Sequence, residues 1–135
     1  GFFDGGDCLG ATIVHRVVPA FVIQGGGFTV GLDEKTTAAA IVNEAIGSGL
    51  SNRRGTLAMA RTNAPDSATS QWFVNLANNT FLDPGESTPA GYAVFAEVVA
   101  GMDVVDAVGG VAFGNRGGLE NVPVEPIVLE SAERL

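Results

Sequence analysis

The sequence predicts a mainly β fold in a single domain that covers residues 1–135. Its apolar runs are short and rich in β-branched and aromatic residues, which suit a pleated, half-covered surface. Nineteen glycines punctuate these runs, as in proteins built from strands and tight turns. A chain of 135 residues has room for one hydrophobic core and not for two.

The predicted strands follow from these apolar runs. They cover residues 11–18, 21–24, 55–61, 71–75, 92–99 and 126–131. Pro19 and Ala20 separate the first two strands, because proline has no N–H to donate to a ladder. The glycine triplet at 25–27 is interpreted as a close backbone approach or a tight bend.

Three segments between the strands are predicted to be irregular. Residues 29–54 are mixed, because a helical turn between Asp33 and Ala45 competes with the loop that the later glycines favour. Residues 78–91 form a long, turn-rich loop. The glycine-rich residues 109–118 are predicted to be loop only.

Residues 102–108 are the one segment predicted to be helical. Apolar residues recur at 102, 104, 105 and 108, which is the spacing of one helix face. Gly109 and Gly110 follow this segment and supply a C-terminal stop.

The alternation of side chains along QWFVN, residues 71–75, separates two faces of a strand. Gln71 and Phe73 share one face, and Trp72 and Val74 share the other. We expect Trp72 and Val74 to face the interior of a barrel. The first face then carries an amide beside a hydrophobic side chain.

Arg16 and Gln24 flank a strongly apolar run, HRVVPAFVIQGGGF. Val22 and Gln24 again place a hydrophobic side chain and an amide on one face, two positions apart. Two interpretations are open at this point. Arg16 and Gln24 are either solvated strand ends or fixed polar groups at the edge of an apolar pocket.

The charge of the chain argues against several classes of partner. It carries 15 acidic and 7 basic side chains, for a net charge of −8. Nucleic-acid binding needs a basic surface, and anionic membranes would repel this chain. No nucleic-acid or membrane partner is therefore expected.

The residue types argue against the common nucleophilic and metal-dependent mechanisms. His15 is the only histidine, and no Gly-x-Ser-x-Gly motif is present. Cys8 is the only cysteine, so neither an intramolecular disulfide nor a familiar zinc-ligand spacing is available. We expect no metal and no cofactor, and we interpret His15 as a hydrogen-bonded structural residue. An arginine and two amides on an apolar surface suit a reaction without proton transfer or a covalent intermediate.

Several motifs in order resemble one known family. HRVVPAFVIQGG is followed by RGTLAMAR, SATSQWFVN, FLD and GYAVFAEVVAGMDVVDAV, and this series closely resembles the cyclophilins, especially the bacterial ones. Cyclophilins are peptidyl-prolyl cis–trans isomerases. The resemblance therefore implies an enzyme that rotates Xaa–Pro peptide bonds in protein substrates and assists their folding. It also implies an antiparallel, eight-stranded β-barrel with helices over its open ends.

The chain departs from the cyclophilin pattern in two respects. The two opening strands and first helix of the family have no counterpart, and the chain starts at Gly1 without a methionine. We therefore expect an N-terminally incomplete barrel from a longer protein. Phe81 stands where many eukaryotic cyclophilins carry a tryptophan that helps to hold cyclosporin. The resemblance accordingly implies weak cyclosporin binding.

The resemblance assigns roles to named residues. The catalytic residues that it implies are Arg16, Phe21 and Gln24. The substrate-binding residues that it implies are Val22, Ala60, Arg61, Gln71, Phe73, Phe81, Leu82 and Tyr92. Arg16 would donate to the prolyl nitrogen, and Gln24 would hold either Arg16 or the substrate carbonyl. The apolar residues among them would form a socket for the proline ring, and Ala60, Arg61 and Gln71 would line the groove for the preceding residue.

Three hypotheses about function remain open from the sequence. The chain is an active prolyl isomerase for proline-containing polypeptides, a module that binds proline segments without turnover, or an incomplete piece without function alone. Relatives of this kind occur in the bacterial cytoplasm and in the periplasm. The sequence does not decide between these compartments.

Overall fold

The mainly β prediction is confirmed by a computed structural model that describes residues 11–133. The strands are β1 (Thr12–Val18), β2 (Val22–Thr29), β3 (Thr56–Met59), β4 (Trp72–Asn75), β5 (Val94–Glu97), β6 (Phe113–Arg116), β7 (Leu119–Pro123) and β8 (Val128–Leu129). One α-helix, α1, spans Met102–Gly109, and a short 3-10 helix spans Thr80–Leu82. Cys8 lies outside the described residues. In the part of the chain that is described, no helix is long and apolar enough to cross a membrane.

Six strands form one antiparallel sheet in the order β5-β3-β4-β2-β1-β8. β6 and β7 form a separate two-stranded ribbon. Within residues 11–133 the larger sheet does not close on itself, because β5 and β8 end it without pairing to each other. The residues that the structure describes therefore form an open sheet, in agreement with the expectation of an incomplete barrel.

The β1–β2 hairpin brings the two ends of the apolar run together. The Phe21 N–H donates to Val18 O (3.0 Å) across the turn, and Arg16 lies opposite Gln24 in the ladder. β2 continues to Thr29, beyond the predicted end at residue 24. The glycine triplet lies within β2, where the pairing with β1 is irregular and Gly26 has a φ of 87°. The close backbone approach is confirmed at this position. A Cβ on Gly26 would lie 2.5 Å from Ser70 O.

Two segments differ from the predictions, and one helix agrees with them. The helical turn expected between residues 33 and 45 is not formed, and isolated bridges such as Ile41 to Ala68 hold that segment instead. Residues 109–118 are not loop only, because β6 begins at Phe113 and a two-glycine turn at 117–118 reverses the chain into β7. α1 agrees with the prediction for 102–108 and is followed by Gly110 at its C-cap.

The two faces of the large sheet carry different clusters of apolar side chains. Val14, Val17, Ile23, Val74 and Leu76 form the larger buried cluster. Trp72 packs against this cluster, together with Val105 and Val108 of α1. Val22, Ala58 and Phe73 form the smaller cluster on the other face. The predicted separation of Trp72 and Val74 from Phe73 therefore agrees with the structure.

Candidate active site

The smaller cluster lies at a cavity of about 240 Å³. The cavity is lined by Arg16, Phe21, Val22, Gln24, Ala60, Arg61, Phe73, Leu82 and Tyr92. All of these residues belong to the set expected from the sequence. They come from β1, the β1–β2 turn, β2, β4, the 3-10 helix and the segments that follow β3 and precede β5.

A chain of polar side chains crosses one side of the cavity. Arg16 Nη1 donates to Gln24 Oε1 (3.3 Å), and Gln24 Nε2 donates to Gln71 Oε1 (2.9 Å). The ladder explains this geometry, because Gln24 lies opposite Arg16 in β1 and opposite Phe73 in β4. These two hydrogen bonds fix the orientation of the Gln24 amide, since its oxygen accepts from Arg16 and its nitrogen donates to Gln71.

Aromatic side chains form the apolar walls. The rings of Phe73 and Tyr92 meet edge to face, with centroids 5.8 Å apart, and Phe73 is 5% exposed. Phe21 stacks on Phe81 at 5.7 Å. Phe81 itself is 53% exposed and does not line the cavity, so it extends the Phe21 wall outward at the rim.

Arg61 packs on the ring of Tyr92, and its guanidinium donates hydrogen bonds to backbone carbonyls. Its Nε and Nη2 donate to Gly91 O (3.1 and 2.9 Å), and its Nη1 donates to Thr62 O (2.8 Å). Its guanidinium carbon lies 4.3 Å from the centroid of the Tyr92 ring, a cation–π arrangement. Among residues 11–133, Arg16 is therefore the guanidinium of the cavity with fewer hydrogen bonds.

A second and larger groove, of about 890 Å³, shares Arg61 with the smaller cavity. Exposed apolar side chains such as Ile41, Val42 and Ile46 contribute to its lining. Among the described residues, no pair of hydrogen-bonded polar side chains lines that groove, whereas the smaller cavity has the Arg16–Gln24 pair. We therefore take the smaller cavity as the candidate active site.

Four polar residues near the cavity were not predicted to be functional. Asn52, Asn75 and Asn79 are buried, and they connect through hydrogen bonds to Asp83. Asparagines in polar stretches are typical of loops, so the pattern gave no reason to single them out. The one usable signal was the position of Asn75 on the same strand face as Phe73.

His15 is buried beside Arg16 but is not held by a hydrogen bond at Nδ1. It is 5% exposed, and its Nδ1 has no partner among residues 11–133. The ring packs edge-on against Phe28, with centroids 4.7 Å apart. The structure therefore shows no hydrogen bond at Nδ1 within the described residues, and the expectation of a hydrogen-bonded histidine stays a prediction for Nε2. Burial, and then the charge of Arg16, lowers the pKa of His15 to about 4.

Acidification is expected to destabilise the fold through His15. Its pKa is about 6.5 in the unfolded chain and about 4 in the folded chain, so the unfolded state binds the proton first. The free energy of unfolding should fall by about 3 kcal/mol between pH 7 and pH 4 from this residue alone. Urea denaturation at several pH values checks this. In His15→Gln the free energy of unfolding should depend less on pH above pH 4. The same pH dependence as in the wild type would contradict the lowered pKa of His15.

Comparisons with known proteins agree with these observations. The family model described as cyclophilin type peptidyl-prolyl cis-trans isomerase/CLD matches residues 7–134. A peptidyl-prolyl cis-trans isomerase of Acinetobacter baylyi is 56% identical over 122 residues, which cover 90% of this chain and 64% of that protein. Peptidyl-prolyl cis-trans isomerase B of Escherichia coli is 57% identical over 122 residues, covering 89% of this chain and 74% of that protein.

A third relative and a solved structure extend the comparison. Peptidyl-prolyl cis-trans isomerase cyp18 of Streptomyces antibioticus is 51% identical over 137 residues, covering all of this chain and 78% of that protein. The chain thus spans 64 to 78% of the length of these three relatives. A crystal structure of a cyclophilin-type isomerase of Cryptosporidium parvum, in the presence of the dipeptide Ala-Pro, superposes with a TM-score of 0.70 at 21% identity. That superposition covers 91% of this chain and 73% of the other.

Proposed function

The chain belongs to the cyclophilin-type peptidyl-prolyl cis–trans isomerase family, and we propose that it catalyses rotation about Xaa–Pro peptide bonds in polypeptides. The cavity described above is the proposed site of this reaction. The proposal rests on one observation. The Arg16 guanidinium is hydrogen-bonded to Gln24 and lines the same cavity as Phe21, Phe73 and Leu82.

The chemistry of the reaction fits a site without a nucleophile. Rotation about a peptide bond faces a barrier of about 18–20 kcal/mol, because resonance holds the bond planar. At the twisted transition state the prolyl nitrogen regains its lone pair and becomes a better hydrogen-bond acceptor. A donor aimed at that nitrogen binds the twisted form more tightly than either planar isomer, which is the condition for catalysis. No covalent bond is made or broken.

Arg16 is proposed as that donor. Its guanidinium is a cation that presents its donors in a rigid fork. Gln24 accepts from Nη1, and within residues 11–133 the other N–H groups of Arg16 are left for the substrate. The apolar walls exclude water around the donated hydrogen bond, which strengthens a charged interaction.

The proline ring is proposed to bind against Phe73, between the Phe21 and Tyr92 walls. Val22 and Leu82 close the remaining sides of this socket. Ala60 and Gln71 are proposed to line the groove for the residue before proline. The solved relative in the presence of Ala-Pro supports a dipeptide of this kind as the smallest probe.

We propose that the substrates are proline-containing segments of unfolded or flexible polypeptides, so that the protein assists folding. Cyclosporin binding is proposed to be weak. Phe81 lies at the rim and is 53% exposed, and a phenylalanine offers less contact area there than a tryptophan would. Titration calorimetry with cyclosporin measures this affinity directly.

The proposed activity is tested by exchange NMR on an Ala-Pro-containing peptide with the chain in catalytic amounts. Isomerisation without a catalyst takes tens to hundreds of seconds, so accelerated exchange between the cis and trans signals is unmistakable. We expect exchange that scales with the concentration of the protein. Saturable binding without accelerated exchange would instead identify a binding module.

A further inference from the structure

Three asparagine side chains form a buried hydrogen-bonded ladder behind the cavity walls. Asn52 and Asn75 are fully buried, and Asn79 is 4% exposed. Asn79 Nδ2 donates to Asn75 Oδ1 (2.8 Å), and Asn75 Nδ2 donates to Asn52 Oδ1 (3.1 Å). Asn52 Nδ2 donates in turn to Asp83 Oδ1 (3.0 Å), and the Asp83 carboxylate also accepts from the hydroxyl of Ser51. We refer to the three asparagines and Asp83 as the asparagine ladder.

The ladder is bonded to the backbone of three wall residues. Asn79 Nδ2 donates to Phe21 O (3.0 Å), and Asn79 O accepts from the Leu82 N–H (2.9 Å). At the other end, Asn52 Nδ2 donates to Tyr92 O (3.1 Å). The Tyr92 N–H donates to Leu82 O (2.9 Å), which joins the two ends. Phe21, Leu82 and Tyr92 are therefore held in one network, although they come from separate segments of the chain.

The ladder has one arrangement in which its buried groups are satisfied. The Asn52 amide donates to Asp83 and to Tyr92, and its oxygen accepts from Asn75. Asn75 donates its second proton to Thr56 Oγ1 (3.0 Å). A buried amide that loses a partner is costly, so these positions resist displacement. A fixed ladder implies fixed spacing between the walls that it holds.

We propose that Asn52 and Asn79 are positioning residues, which hold Phe21, Leu82 and Tyr92 at the separation that a proline ring needs. This inference rests on the proposed function. The ring meets the same walls in its planar and twisted states, so displaced walls weaken binding of both states alike. Such a loss raises KM and leaves kcat nearly unchanged. Among residues 11–133 Arg16 has no hydrogen bond to the asparagine ladder. We therefore expect variants of the ladder to leave the donation from Arg16 to the prolyl nitrogen unchanged.

The test replaces Asn79 by valine and by threonine. These side chains have nearly the same shape, but only threonine can donate a hydrogen bond to Phe21 O. We expect Asn79→Val to raise KM for a proline peptide, and the Kd from an NMR titration, about tenfold, with kcat changed less than about twofold. Asn79→Thr should recover most of the lost affinity.

Asn121→Gly is the matched control. Asn121 Nδ2 also donates to a backbone carbonyl, Val17 O (3.1 Å), but it lies outside the cavity lining. Its φ of 58° is one that glycine adopts without strain. The control should lower the unfolding midpoint and leave KM at its wild-type value. A wild-type KM in folded Asn79→Val, or an equal rise of KM in the control, would overturn the proposal.

Ser51→Ala provides a second variant in case Asn79→Val does not fold. It removes one donor to Asp83 and leaves the three asparagines in place, so we expect KM to rise about twofold to threefold. If Asn79→Val does not fold, an unchanged KM in folded Ser51→Ala overturns the inference. A wild-type chain that binds the peptide without isomerising it would contradict the proposed function alone. The affinity ratio of the two Asn79 variants would still test the ladder.

Discussion

Arg16→Ala is expected to lower kcat/KM for a proline peptide by about 100-fold to 1,000-fold. This is the usual range for removing one preorganised donor from a charge that develops in a transition state. The loss should fall mainly on kcat, because the apolar walls that bind the ring are untouched. Arg16→Lys keeps the charge but loses the rigid fork, so a partial loss is expected. The measurement is exchange NMR on protein whose folding has been verified by circular dichroism.

Arg116→Ala is the control for that experiment. Arg116 is exposed, and its Nη2 donates to Val30 O (3.2 Å), away from the cavity. Its removal changes the net charge as much as the removal of Arg16 does, so it separates a general electrostatic effect from a specific one. An Arg16→Ala protein with the wild-type rate per folded molecule would show that the mechanism is wrong.

Gly26→Ala is expected to lower the free energy of unfolding by about 3–5 kcal/mol, enough to unfold many small domains. Two costs add at this position. The φ of 87° is one that residues with a side chain rarely adopt. In addition, the new methyl group would lie 2.5 Å from Ser70 O and 2.8 Å from the ring of Trp72.

Gly49→Ala separates these two costs. Gly49 also has a positive φ, of 72°, but a Cβ there would meet nothing within 4 Å. The control should therefore lose only the backbone part, about 1–2 kcal/mol. Urea denaturation of both variants measures the difference. Equal destabilisation of the two would mean that the close approach of β2 to Trp72 contributes nothing.

The sequence pattern was most informative where local periodicity decides the structure. α1 could be predicted because its apolar positions and its terminal glycines lie within one short segment. The extension of β2 through its glycines could not, because it depends on contacts with Ser70 and Trp72, which are distant in the chain. The β6–β7 ribbon was missed although the sequence carried a signal for it. A Gly-Gly pair such as Gly117 and Gly118 is typical of a two-residue hairpin turn, and both residues have positive φ values in the structure.

The site could be predicted in part, for a different reason. Arg16, Gln24 and Phe73 lie in motifs that resemble a known family, and their faces follow from strand alternation. The hydrogen bonds of Arg61 to Gly91 O could not be foreseen, because no local pattern says which carbonyl a guanidinium will reach. The asparagine ladder escaped detection for the same reason. Asn52 and Asn79 become functional candidates only when their partners are known.

The cavity draws its walls from segments scattered along the chain, from Arg16 to Tyr92. Assembling it therefore requires closure of long loops and pairing of β2 with β4, in which residues far apart in the chain, such as Gln24 and Phe73, lie opposite each other. No subset of these strands folded alone contains a complete socket. Loss of the proposed isomerase activity should consequently coincide with global unfolding, so turnover itself would report the integrity of the native topology.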